Sequence, residues 1–208
     1  MSRWIRDKYR DEYYKRAKAS GYRSRASYKL AQLNRRHRLI RRGDRVLDLG
    51  CAPGGWSQVA RESVGEQGLV VGVDIVEVEP LDYENVFFVV GDIMDDPTIE
   101  TISSISPVFD VVISDASPKI TGIWSRDHLL SVDLVDRALS ICDRLLRTGG
   151  NFVAKVFQGD ELDQLQRRVK ESFAWTKRTK PKASRGKSSE VYLVGKGFRQ
   201  SPPHEPSS

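Results

Sequence analysis

Val46-Leu-Asp-Leu-Gly-Cys-Ala-Pro-Gly-Gly-Trp-Ser is a short apolar run that breaks into a glycine-rich turn and resumes with helical spacing through residue 64. A turn of this kind lets a ligand approach the backbone, because glycine leaves no side chain in the way and Pro53 stiffens the bend. The glycines fall at Gly50, Gly54 and Gly55. They do not make the Gly-x-Gly-x-x-Gly of dinucleotide-binding turns, which counts against a nicotinamide-dependent oxidoreductase. On the C-terminal side, apolar runs at 69–74, 86–90, 109–115, 151–157 and 190–194 are rich in β-branched and aromatic residues, as buried parallel strands require. Amphipathic helices are predicted over 127–146, stopped by Gly149-Gly150, and over 161–173, followed by a basic loop. The texture is β-α-β throughout, and the fold class is α/β. Asp74 ends the second run and Asp92 follows the third, placing carboxylates beyond the carboxyl ends of strands, where open α/β sheets bind their ligands.

The 208 residues are 39% apolar, enough for one domain with a real core and against a disordered or disulfide-stapled chain. No apolar run approaches the ~20 residues that cross a bilayer, and the N-terminus lacks a secretory signal. Two distant cysteines, Cys51 and Cys142, point to a reducing cytoplasm. With three scattered histidines they give no metal-binding spacing, so no metal is expected. Charge is segregated. Residues 1–45 carry sixteen Lys and Arg against four Asp and Glu, residues 46–166 seven against twenty-one, and residues 167–200 eleven against two. Basic ends around an acidic body form a polyanion-binding surface if both fold to one side, which makes nucleic acid the leading partner. Trp4, Tyr9, Tyr13, Tyr14, Tyr22 and Tyr28 interleave with the N-terminal cations, as stacking on unpaired bases would require, although anchoring the segment to the core would use them equally. The chain divides into a basic aromatic arm over 1–23, a folded α/β domain over 24–199 and a disordered tail over 200–208. That domain opens with a basic helix over 24–39 that Ser24 would cap. Arg23, Arg25, Arg35, Arg36 and Arg38 are the candidate RNA contacts. No pattern calls for a dimer.

Asp48-Leu-Gly-Cys-Ala-Pro-Gly-Gly-Trp-Ser-Gln, with Ser114-Asp-Ala-Ser-Pro, Val153-Ala-Lys-Val-Phe and Ser189-Glu-Val-Tyr, resembles the FtsJ-like ribosomal-RNA 2′-O-methyltransferases over roughly residues 20–198. The resemblance implies a Rossmann-like S-adenosylmethionine-dependent methyltransferase fold. Its seven-stranded, mostly parallel sheet would have an antiparallel last strand and helices on both faces. It implies a Lys-Asp-Lys-Glu tetrad at Lys29, Asp115, Lys155 and Glu190, and cofactor contacts at Gly54, Trp56, Asp74, Asp92 and Asp115. Two positions depart from the pattern: Cys51 stands where alanine is common, and Lys119 follows Pro118 where the bacterial sequences have asparagine. The second departure puts any substrate contact at that position in doubt.

The chemistry expected at such a tetrad is simple. A sulfonium methyl is already activated, so the enzyme has to hold a ribose hydroxyl in line and see its proton removed. Lys155 is the candidate base or orienter. Burial and a second cation at Lys29 would favour its neutral amine, whereas Asp115 and Glu190 favour the ammonium and fit an orienting role. The substrate implied is a ribose, a uridine, of the large-subunit ribosomal RNA. Transfer-RNA or cap ribose methylation by the same tetrad, and a non-catalytic RNA-binding protein on this scaffold, are the alternatives.

Overall fold

The computed structural model describes residues 13, 15–184 and 188–200. Trp4, Tyr9, Tyr14 and the tail from residue 201 lie outside the described residues.

Seven strands form one sheet in the order β3-β2-β1-β4-β5-β7-β6. They are β1 (Arg45–Leu49), β2 (Leu69–Asp74), β3 (Val86–Val90), β4 (Phe109–Ser114), β5 (Leu146–Phe157), β6 (Phe173–Thr179) and β7 (Glu190–Phe198). β3, β2, β1, β4 and β5 run parallel, and β7 lies antiparallel between β5 and β6. The implied α/β architecture is therefore present. The central strands β1, β2 and β4 are buried on both faces because both are covered. The helices α1 (Ser27–His37) and α2 (Gly55–Val64) pack on one face through Leu30, Leu33, Trp56, Val59 and Ala60. On the other face lie α3 (Asp96–Ile105), α4 (Trp124–Leu145) and α5 (Leu162–Ser172), packing through Ile99, Ile102, Val135, Ile141, Leu165 and Val169.

Four local expectations are corrected. The segment after α5, read as a loop, begins with β6, an edge strand whose outward Lys177 and Arg178 hide its pattern. The strand expected at 190–194 is longer, Glu190–Phe198, and lies between β5 and β6. α4 stops at Leu145, ahead of the glycines, and Gly149 (φ +79°) serves the irregular start of β5, where the register with β4 shifts. α1 begins after Ala26 with no side-chain cap, so Ser24 does not cap it. Part of the basic arm is ordered as well: residues 15–19 are helical, with Ala17 buried and the turn closed by Tyr22 N–H donating to the Ala17 carbonyl at 2.8 Å.

Candidate active site

Register brings the tetrad together. Lys155 on β5 stands directly opposite Tyr192 on β7, and Glu190 is two residues from Tyr192 along the same strand, so all three share the face that α1 covers. α1 lies over them and delivers Lys29, whose ammonium is 2.8 Å from Glu190 Oε1 and 5.8 Å from the centre of the Tyr192 ring. Asp115 follows β4, the neighbour of β5, and meets Lys155 twice: Lys155 Nζ donates to its carbonyl at 2.7 Å and lies 3.3 Å from its Oδ1. The Tyr192 hydroxyl donates to that same Oδ1 at 2.9 Å. Lys29, Asp115, Lys155 and Glu190 thus form two ion pairs bridged by one tyrosine. Each lysine is only 8% exposed, so losing either carboxylate would leave a poorly solvated cation. Burial pushes the Glu190 carboxyl up, but the charge and hydrogen bond of Lys29, with the charge of Lys155, outweigh it and hold the group below its usual range. Burial, reinforced by Asp115 and Glu190, pushes the Tyr192 phenol well up, so it stays a donor.

Beside this cluster, beyond the carboxyl ends of β1, β2 and β4, is a cavity of about 460 Å³, within the size of a small-molecule site. Its acidic lining is Asp74, Asp92, Asp115 and Asp133, and its apolar lining includes Val73, Ile93 and Leu134. Asp115 belongs to both cavity and tetrad. Four carboxylates against Lys119 suit a ligand that is cationic at one end and rich in hydroxyl or amino donors. Asp74 also holds the glycine-rich turn in place, accepting from Ala52 N–H at 2.9 Å and Val76 N–H at 3.0 Å, and Asp92 accepts from Met94 N–H at 2.9 Å. Gly50 allows this closure. Its φ is +73°, and a Cβ there would lie 2.5 Å from the Ala116 backbone. Gly54 and Trp56 are not in the cavity lining. Trp56 is 3% exposed, stacks on Tyr192 and donates from Nε1 to the Ala26 carbonyl at 2.9 Å, so its ring joins α2 to α1 and β7.

The candidate RNA arginines divide. Arg35, Arg36 and Arg38 are exposed at the end of α1. Arg23 binds the carbonyls of Glu79 and Pro80, and Arg25 binds that of Ala183, so both guanidiniums fasten the chain to itself. The described arm aromatics anchor as well: Tyr13 and Tyr22 each pack on Tyr28 at 5.6 Å, and Tyr22 donates to Glu62 at 2.7 Å. Sequence reasoning gave no role to Tyr192, although its alternation with Glu190 on one strand face marks it. Among the described residues no cluster could hold a metal, and no helix is long and apolar enough to cross a membrane.

Residues 22–198 match the sequence model of the FtsJ-like methyltransferases. The chain is 54% identical over 190 residues to the ribosomal RNA large subunit methyltransferase E of Archaeoglobus fulgidus, covering 91% of this chain and 97% of that one. It is 50% identical over 200 residues to the protein of that name in Methanocaldococcus jannaschii, covering 94% and 82%. Among solved structures, a Plasmodium falciparum protein assigned as a ribosomal RNA methyltransferase superposes with a TM-score of 0.77 at 30% identity, covering 85% and 98%.

Proposed function

The chain belongs to the FtsJ-like methyltransferase family, and from that premise we propose that it methylates the 2′-hydroxyl of a ribose, a uridine, in large-subunit ribosomal RNA, using S-adenosylmethionine. The observation that carries the proposal is the sharing of Asp115 between an acid-lined cavity and a buried Lys-Asp-Lys-Glu cluster, which sets a cationic ligand beside an acceptor site. Bound S-adenosylmethionine would supply a methyl group already activated by its sulfonium charge. The cavity suits it: Asp74 and Asp92 are the acceptors for its hydroxyl and amino groups, and Asp115 lies nearest the tetrad. Gly54 and Trp56 act on the site through the turn and the start of α2: Gly54 N–H closes the bend on the Cys51 carbonyl at 2.6 Å, and the Trp56 ring fixes α2 against α1 and β7.

On the acceptor side, Lys155 holds the 2′-oxygen in line, Asp115 and Tyr192 fix the Lys155 ammonium, and the Lys29–Glu190 pair walls the pocket. As the 2′-oxygen takes up the methyl group, its proton passes to solvent water; the Lys155 ammonium has no lone pair to accept it and serves to steer the oxygen. A single domain over 24–199 does this as a monomer in a reducing cytoplasm, where the buried free thiols of Cys51 and Cys142 stay reduced.

The test is site-mapped 2′-O-methylation of ribosomal, transfer and capped RNA offered in parallel to the wild type and to Lys155→Ala. Expected are product on the ribosomal RNA, turnover lowered about 100-fold or more in the variant, and cofactor affinity unchanged within a few-fold. Product on transfer RNA alone would overturn the substrate. Full turnover in the variant would remove Lys155 from the mechanism.

A further inference from the structure

The two faces of the sheet are covered unequally. Three helices lie on one face, where Arg178 of β6 pairs with Asp163 of α5, but α1 and α2 on the other stop short of the edge strand, and Trp175 and Lys177 of β6 remain exposed there. Trp175 is 45% exposed, yet its position is fixed. It is the register partner of Lys196 on β7, and its ring lies 5.8 Å from that of His37, the last residue of α1. Lys196 Nζ in turn donates to the His37 carbonyl at 3.0 Å, joining the helix end to the strand pair. Burial first, then the positive charges of Arg36, Lys196 and Lys177, hold the His37 imidazole below its ordinary pKa, so a neutral ring braces Trp175 inside a ring of cations. Single exposed apolar side chains need no explanation, but an exposed indole held by a second ring and surrounded by positive charge has the chemistry of a nucleobase platform.

We propose that Trp175, braced by His37 and flanked by Arg36, Lys177 and Lys196, stacks an unpaired base of the RNA substrate at a second site remote from methyl transfer. The site lies six residues from Glu190 along β7, about 20 Å at strand spacing. RNA held there is anchored away from the target ribose while the cations neutralise the flanking phosphates. The inference rests on the reading of the substrate as RNA. A structured RNA that presents a single-stranded segment beside the modified nucleotide fits it, whereas a continuous duplex presents no free base face.

The experiment compares binding of a fluorescein-labelled single-stranded oligouridine and of a fully paired RNA duplex of equal length to the full-length wild type and to Trp175→Ala, with cofactor affinity measured on both. Expected is a loss of about 10-fold or more in single-strand affinity, with duplex and cofactor affinity unchanged. Trp175→Phe should retain most of the binding and Trp175→Leu should not; this pair carries the same comparison if the alanine variant loses its native melting transition. Equal single-strand affinity in the wild type and the non-aromatic variants would overturn the stacking site and leave the methyltransferase reading intact. A wild type that binds no RNA of either kind would instead remove the reading on which the site rests. Unchanged affinity for naked RNA with weakened binding to assembled large ribosomal subunits would assign Trp175 to a protein contact and also overturn the proposal.

Discussion

Asp48 shows how much one side chain decides without touching any ligand. It sits in the middle of β1, is 0% exposed, and accepts a hydrogen bond from Ser57 Oγ at 2.6 Å, while its Oδ1 has no partner. Burial first, opposed by the Ser57 bond and helped by the charges of Asp115 and Asp74, raises its pKa to about 7. In the unfolded chain the group titrates at the ordinary carboxylate value of 3.8, so between about pH 4 and 7 the folded state binds the extra proton. The stability this contributes is fully present below the lower value and is lost as the pH rises through the upper one, about 4 kcal/mol in all. Asp48→Asn cannot titrate. Its melting temperature should therefore change less than that of the wild type between pH 5 and 8, by roughly 5–10 °C, in a calorimetric series. Parallel curves for the two proteins would mean that Asp48 is already ionised in the fold. Nothing in the sequence marks this residue beyond an acid inside an apolar run. The tetrad was legible because its four residues sit in separate motifs. Tyr192, Ser57 and the engagement of Arg23 with chain carbonyls were not, since each depends on which strands become neighbours.

At the scale of elements, the site exists because β1 and β4 end side by side and their following turns nearly touch. Gly50 is the point of closest approach, and alanine there meets two separate penalties. A φ of +73° costs an L-residue about 1–2 kcal/mol, and a methyl group 2.5 Å from the Ala116 backbone forces the two strand ends apart. Gly50→Ala should lower unfolding free energy by about 3 kcal/mol or more in urea titration and weaken cofactor binding with it, because Ala52 and Asp115 line the same cavity. A variant with native stability would show that the strand ends are free to separate. Six of the seven strands were readable from their apolar runs because buried parallel strands are nearly uniform in polarity. β6 was hidden for the opposite reason: as an edge strand it carries Trp175, Lys177 and Arg178 outward, and only Phe173 and Thr179 at its ends are buried. The end of α4 was legible to within a residue, but the role of Gly149-Gly150 was not: the pair fits a helix-stop pattern, while the structure uses Gly149 to pass an irregularity in β5.

For the molecule as a whole, the segregation of charge along the chain becomes a segregation in space. The two basic ends meet: Gln32 Oε1 accepts from Ala183 N–H at 3.0 Å, Arg25 reaches the Ala183 carbonyl at 2.8 Å, and Lys196 closes on the end of α1. The acidic middle supplies the carboxylates of the cavity. If the proposed cofactor enters the cavity and RNA the basic ends, the two are received on different parts of one small domain, and their affinities should be separable by salt. Arg35, Arg36 and Arg38 are exposed where the basic ends meet and take no part in the cavity. Reversing all three to glutamate removes up to three phosphate contacts. At about 0.7 per contact for single strands, this flattens the slope of log affinity against log salt by up to about 2. Cofactor affinity, set by the lining of a cavity to which none of the three arginines belongs, should not move. Fluorescence anisotropy of labelled RNA across a salt series reads the first quantity, and calorimetry of cofactor binding the second. An unchanged salt slope would mean that the RNA does not cross the end of α1, and that the arginines there are a solvated face contributing to solubility alone.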